Sequence, residues 1–317
     1  MTKIHLPATV ICLMILINAC SPNKEKGFTQ EDSDAPLLFL GQKEPTLIPE
    51  VFAPGIISKP DRYEFGCTFS EDGKELFFGV DNSGVTEIYH TRLLNGTWSS
   101  QEKLFKEDSF SHNDPMLSAD GQKLFFISDR PLEVGGQRKD IDIWYIQREN
   151  ANWSAPVNLG RAINDELDQY YVSFADNGTL YFASKDKAEK ATRDAFDIYR
   201  AERQGDGFAM PEKLPAEINT AQYEADVFVA PDESYLIFCS TRADGFGRGD
   251  LYISFRDTEG NWSLAQNMGN SINTGSHELC PFVTRDGKYL FYTSNQDIYW
   301  VSAKILDDYR QASSSAD

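Results

Sequence analysis

Basic residues are scarce in this chain: 30 Lys and Arg stand against 49 Asp and Glu, a formal net charge of -19 at pH 7. No Lys/Arg-rich stripe offsets the excess, which excludes a phosphate-tracking nucleic-acid interface. A surface this acidic repels other anionic surfaces and attracts cations. Histidine is sparser still, with four copies. His112 and His277 lack a third ligand at zinc spacing, and His90 follows a strand-like run where exposure is expected. Of the five cysteines, Cys67, Cys239 and Cys280 stand singly in apolar strand-like runs, as buried free thiols do. Scattered in this way they form no disulfide framework, and none shows a catalytic histidine pairing in the sequence. No serine sits in a glycine elbow. Helical periodicity is missing from the body of the chain, and no apolar run reaches the roughly 18 residues of a membrane-spanning helix.

The first residues have a different character. Lys3 gives a basic start, Leu6 to Ile17 is almost wholly apolar, and Asn18-Ala19 precedes Cys20. The order charged, apolar, small is that of a secretory signal. It resembles the bacterial lipoprotein signal, in which the cysteine becomes the lipidated first residue. Residues 1–19 are therefore expected to be a signal peptide, and Cys20 the lipid attachment point. Loss of Lys3 would leave the mature chain at -20. Residues 20–44 read as a flexible tether, because 21–36 are polar and lack apolar periodicity. The expected site of the protein is then the cell envelope, anchored to the outer membrane through lipid and facing periplasm or cell surface.

Beyond the tether one unit is written five times. Phe69-Ser-Glu-Asp-Gly-Lys-Glu-Leu-Phe-Phe78 has counterparts at 117–126, 173–182, 229–238 and 283–292. The shared aspartates, Asp72, Asp120, Asp176, Asp232 and Asp286, are separated by 48, 56, 56 and 54 residues. Asp-Gly between apolar runs favours the positive φ of a hairpin turn. A third strand follows at Glu87-Ile-Tyr89, Asp142-Ile-Trp144, Asp197-Ile-Tyr199, Asp250-Leu-Tyr252 and Asp297-Ile-Tyr299. Trp98, Trp153, Phe208 and Trp262 mark a fourth, and their repetition assigns them to packing within the unit.

Four antiparallel strands in about 50 residues, with aromatic punctuation, are the blade of a β-propeller. The fifth copy stops near Ala303, after its third strand. Pro49-Glu-Val-Phe52 followed by Ile56 matches Pro156-Val-Asn-Leu159 followed by Ile163. Pairing residues 46–54 with the last blade would close the ring and remove a free edge. The expected fold is thus all-β, a five-bladed propeller over residues 45–306 closed by an N-terminal strand; closure in this way favours five blades over the alternative of six. Residues 307–317 are expected to be a disordered tail.

Phe69–Phe78, Leu117-Ser-Ala-Asp-Gly-Gln-Lys-Leu-Phe-Phe-Ile-Ser-Asp-Arg-Pro131 and Ser240-Thr-Arg-Ala-Asp-Gly-Phe-Gly-Arg-Gly-Asp-Leu-Tyr252 resemble the WD40-like repeats called PD40. These occur in TolB-type propellers and in many bacterial envelope proteins, and the resemblance covers roughly residues 45–303. It departs from TolB in having no separate N-terminal α/β domain and five blades where TolB has six. The resemblance implies a propeller and a binding role. The Gly-rich stretch at 240–252 falls between two strands of blade four. It therefore opens no nucleotide-binding helix, and Arg248-Gly249-Asp250 is a turn meeting a strand.

Equivalent positions of all blades converge on the channel. Counting back from the shared aspartates places Glu64, His112, Asp168, Glu224 and Glu278 in a ring at its mouth, where Asp114 and Asp226, two residues later in the sequence, add further acids. Such a ring has three readings. Each acid bonds its neighbouring blade; or the ring holds a polar ligand or a cation, calcium suiting hard oxygen ligands; or it catalyses. Five-bladed propellers of the arabinanase type place three carboxylates in this channel, and Asp114, Asp168 and Glu224 would serve as base, modulator and acid. The leading expectation is a non-enzymatic lipoprotein that binds a glycan, peptide or protein at the channel face. The alternatives are a glycoside hydrolase or lyase, and a scaffold subunit of an envelope complex.

Overall fold

The computed structural model describes residues 38–314 except 107–108, 151 and 186–195. The expected signal peptide, Cys20 and the first part of the expected tether lie outside the described residues. Four strands build each blade, ordered outward from the channel. Blade one has Tyr63–Phe69, Glu75–Asn82, Val85–Leu94 and Glu102–Lys103; blade two has His112–Leu117, Lys123–Ser128, Asp142–Glu149 and Val157–Asn158. Blade three has Gln169–Phe174, Leu180–Lys185, Phe196–Ala201 and Glu212–Lys213; blade four has Glu224–Val229, Tyr235–Ser240, Asp250–Phe255 and Gln266–Asn267. Blade five has Leu279–Val283, Tyr289–Ser294 and Asp297–Ser302, and takes Glu50–Val51 as its outer strand. The propeller is five-bladed.

The turn between the first two strands is fixed by backbone chirality. Gly73, Gly121, Gly178 and Gly287 have φ between 66° and 85°, and Glu233 takes φ 58° in blade four. The residue before each stabilises the turn with its side chain. Asp72, Asp120, Asp232 and Asp286 accept from the backbone N–H two residues on, and in blade three the acceptor is Asn177, at 2.9 Å from Thr179 N. Blade three therefore turns at Asn177-Gly178, one residue beyond the aspartate its sequence suggests.

The tryptophans refine the outer strand. Trp98 and Trp153 lie opposite Leu93 and Arg148 on the third strand, and the chain breaks before it rejoins that strand at Glu102 and Val157. They staple the hairpin tip, and Arg148 and Arg256 lie over the rings of Trp153 and Trp262, 4.3 and 5.5 Å from the centroids.

Ring closure is antiparallel, Glu50 opposite Trp300 and Val51 opposite Tyr299. Phe52 follows, fully buried, its ring 5.8, 5.2 and 5.2 Å from those of Phe69, Phe291 and Trp300. Two boundaries differ from expectation. The chain docks from Leu38, where Phe39 packs edge-on to Phe69 and Tyr289, so residues 38–44 belong to the body and not to a free tether. The expected disordered tail contains a helix, Leu306–Ser314, whose Tyr309 hydroxyl donates to the Met268 carbonyl at 2.5 Å.

Phe52 ties the closing strand to the first and last blades. Phe52→Ala should cost about 3–5 kcal/mol of stability, read as a lowered thermal midpoint; an unchanged midpoint would mean that the ring does not depend on this closure.

Candidate functional site

Between blades the chain returns from the rim to the channel, and two side chains organise that return. Asn164, Asn219 and Asn273 each use one amide as a substitute strand. Asn273 accepts from Leu251 N at 2.8 Å and donates to Leu251 O at 3.0 Å; Asn164 does the same with Ile143, and Asn219 with Ile198. Six residues after the isoleucine that precedes each asparagine, the residue at the entry to the next inner strand closes the loop. Glu278 accepts from Thr274 N at 3.1 Å, Thr274 Oγ1 at 2.7 Å and Ser294 Oγ at 2.6 Å. Glu224 repeats this with Thr220 and Ser240 and adds Arg242, while Glu64 is held by Lys59 N and the Arg62 guanidinium. Burial nevertheless raises the Glu64 pKa.

The fourth member of this set is Gln169, not Asp168. Gln169 is fully buried opposite Ser184 and donates to Asp165 Oδ1 at 2.9 Å, as its spacing from Ile163 requires. The offset of one follows from the shifted turn of blade three. Asp168 stands just outside the ring, where it pairs with Lys185 and accepts from Ile141 N at 3.0 Å. His112 does occupy the ring position, but its imidazole stacks on Phe105 at 4.1 Å and beside Phe126. The ring residues thus hold blades together. Among the described residues no group of three or more His, Cys, Asp and Glu is placed to hold a metal ion.

Two residues further along, every inner strand carries a bulge, and the bulged residue has a left-handed backbone: Gly66 (φ 45°), Asp114 (50°), Tyr171 (45°), Asp226 (52°) and Cys280 (52°). A bulge re-aims its side chain, and here five re-aimed positions meet. A Cβ added to Gly66 would come within 3.1 Å of Asp114 Oδ1 and 3.5 Å of Cys280 Sγ, so blade one leaves room for its neighbours. The Cys280 thiol donates to Asp114 Oδ1 at 3.5 Å, and the Tyr171 hydroxyl to Pro281 O at 2.8 Å. Burial drives the Asp114 pKa up to about 7, and burial together with the Asp114 charge raises that of Asp226. Asp114 and Asp226 lie deep in the channel, below the mouth where they were expected.

One contact was missed in the sequence because its partners are 38 residues apart: Cys239 Sγ lies 3.3 Å from His277 Nε2. Burial raises the pKa of this thiol well above its ordinary value and lowers that of the histidine. The pair is a neutral S–H···N contact, not an activated thiolate.

At the other end of the channel, among the Asp-Gly turns, a cavity of about 450 Å³ opens. All five blades contribute to it. Met116, Phe174, Phe228 and Phe282 form an apolar floor, and Phe174 packs on Phe125 with ring centroids 4.5 Å apart. The rim is charged with both signs, carrying Lys123, Arg203 and Arg285 as well as Glu71, Asp120 and Asp176. Arg285 pairs with Asp176 across blades. In the sequence Asp120 and Asp176 marked turns and the other positions did not stand out, so nothing there pointed to a cavity.

No family model matches the chain, and no curated protein matches its sequence. Solved structures of similar fold do exist. One is a protein of unknown function from Dyadobacter fermentans, at 12% identity and TM-score 0.50, which covers 83% of this chain and 84% of that one. TolB from Acinetobacter baumannii aligns at 14% identity and TM-score 0.49, over 76% of this chain and 54% of that one; this chain thus spans about half the length of that TolB. An α-L-arabinofuranosidase from Lactobacillus brevis aligns at 13% identity and TM-score 0.48, over 78% of this chain and 90% of that one. The likeness is one of fold.

The two channel aspartates impose a testable pH dependence. Their folded pKa values are raised, so between the unfolded value near 3.8 and about 7 the native state binds more protons and stability falls as pH rises. Asp114→Asn should therefore stabilise at pH 8 by on the order of 4 kcal/mol, and the gain should vanish toward pH 4. Melting curves at pH 4, 6 and 8 check this; a pH-independent gain, or a loss, would refute it.

Proposed function

We propose that this protein is a non-enzymatic binding protein that takes an apolar segment of a peptide or protein partner into the turn-end cavity. The observation that carries the reading is the cavity itself, with an apolar floor from four aromatic or Met side chains and a rim carrying charges of both signs. Burying one or two apolar side chains on such a floor supplies affinity, and the rim charges select what flanks them. Polar hydroxyl-rich ligands would need hydrogen-bonding groups on the floor, which Met116, Phe174, Phe228 and Phe282 do not provide.

The hydrolase alternative is weakened by what the carboxylates already do. A glycosidase needs an acid and a base free to face one scissile bond. Glu224 is fully buried and engaged by Thr220, Ser240 and Arg242. Asp168 is tied to Lys185, outside the ring. The signal-like segment ending at Cys20 supports placement in the cell envelope on a lipid anchor. Metabolic labelling with a radioactive fatty acid should mark the wild type and not Cys20→Ser; equal labelling would dismiss the anchor.

Peptides selected from a displayed random library against the wild type should be centred on apolar residues. Their binding should weaken at least about tenfold in Phe174→Ala and survive in Asp168→Asn. Release of sugar from an arabino-oligosaccharide, abolished in Asp168→Asn, would replace this reading with the enzymatic one.

A further inference from the structure

The acid pair in the channel core is unexplained by the blade junctions and by the turn-end cavity. Asp226 is 6% exposed, and among the described residues it has neither a hydrogen bond nor an ion pair. Asp114 is 7% exposed and accepts only the long contact from the Cys280 thiol. Both sit on left-handed backbone, a conformation that non-glycine residues rarely adopt. Two strained and desolvated carboxyls, close enough to influence one another, are an arrangement that a packed core does not require.

Their surroundings are aromatic. Tyr63 and Tyr171 lie close enough to both aspartates to feel their charge, and Tyr223 close enough to feel that of Asp226. Phe65 packs on Tyr63 with ring centroids 5.5 Å apart, and Phe196 bridges Tyr170 at 4.8 Å to Tyr223 at 5.7 Å. Tyr63, Tyr170 and Tyr223 are only half-buried, so the aromatic group reaches the solvent at the mouth. A cation already uses one of these rings: Lys185 Nζ lies 5.2 Å from the Phe196 centroid. Aromatic faces beside desolvated carboxylates are what recognises an organic cation.

We propose that the channel core binds an alkylammonium or guanidinium group between Asp114 and Asp226, with Tyr63, Tyr171 and Tyr223 around it. The chemistry favours an organic cation over a metal ion, because among the described residues no group of three or more His, Cys, Asp and Glu is placed to hold a metal ion, whereas aromatic faces beside carboxylates suit an organic cation. The cation would replace the protons that the buried pair otherwise holds. The other titratable groups facing the pair are Tyr63, Tyr171, Tyr223, Cys239 and Cys280, all neutral when it is occupied. Binding should therefore release protons from the two aspartates alone. This site is independent of the turn-end cavity and of the partner proposed for it.

Calorimetry at pH 7 with n-butylammonium, agmatine and a lysine-containing tripeptide, in two buffers of different ionisation enthalpy, tests the assignment. The expected result is saturable millimolar or tighter binding with proton release, weakened at least about tenfold in both Asp114→Asn and Asp226→Asn. Both variants remove only a charge at a near-constant side-chain volume, and a melting curve on each separates loss of binding from loss of structure. Preference for the free amines assigns a small-molecule ligand, and preference for the tripeptide a side chain of a partner; either supports the site. No binding by any of the three, undiminished binding in both variants, or calcium bound more tightly at the same aspartates would overturn it.

Discussion

A propeller chain must cross from the rim of one blade to the axis of the next without stranding its backbone groups. Here the crossing rests on a side-chain amide that behaves as a strand. Asn164, Asn219 and Asn273 each give and take one hydrogen bond with the third strand of the blade just completed. The loop end is then held by the residue at the entry to the next inner strand, through Thr274 and Ser294 at Glu278 and through Thr220 and Ser240 at Glu224. A buried carboxylate is tolerable only when its lone pairs are used, and at Glu224 and Glu278 they are. That requirement explains why acids recur at a position resembling a binding rim: the repetition is architectural.

With the junctions fixed, the inner strands are free to vary at one place. The bulge aims one side chain per blade at the axis, and these five are Gly66, Asp114, Tyr171, Asp226 and Cys280. The frame is nearly five-fold while its contents share almost nothing. Blade one contributes space, blade three a ring that crosses to Pro281, and blade five a thiol against Asp114. Differences at a position that the fold repeats are where individuality in a repeat protein resides, whereas sameness at the ring reflects packing.

Much of this was legible in the sequence. The five copies, the hairpin turns, the third strands and the closure by residues 49–52 all follow from local turn chemistry and strand alternation, which act over a few residues. The buried thiols and the structural role of the tryptophans follow likewise. The error at Asp168 was a counting error with a physical origin: Asp176-Asn177-Gly178 offers two residues able to brace the turn, and the one adjacent to glycine wins. Counting from Ile163 and Asn164 would have reached Gln169, because the junction amide and not the turn sets the register of the inner strand. Other features were beyond sequence reasoning. The contact of Cys239 with His277 joins different blades, and the bulges shift backbone without a residue type to announce them, since Tyr171 and Cys280 are ordinary strand formers. The turn-end cavity is lined by residues from all five blades, Met116, Phe174, Phe228 and Phe282 among them, so it depends on contacts far apart in the chain and has no signature in composition.

The two ends of the channel therefore differ in kind. At the ring end, polar groups are numerous and nearly all committed to neighbours; at the turn end, the cavity has an apolar floor of core residues, Met116, Phe228 and Phe282, with the more exposed Phe174 beside them. A surface with satisfied polar groups gains little from a ligand, because new hydrogen bonds only replace existing ones. An uncovered apolar floor gains from any apolar group that displaces its water. Between the ends, Asp226 departs from the first condition, being polar, buried and without a hydrogen bond among the described residues, while Asp114 accepts only the long contact from the Cys280 thiol. A fold that carries an acidic surplus could have placed Asn or Ser there at no cost to the blade junctions. That it places two acids on strained backbone, inside aromatic walls, separates the core of the channel from the scaffold around it and makes it the part of the molecule that packing alone does not explain.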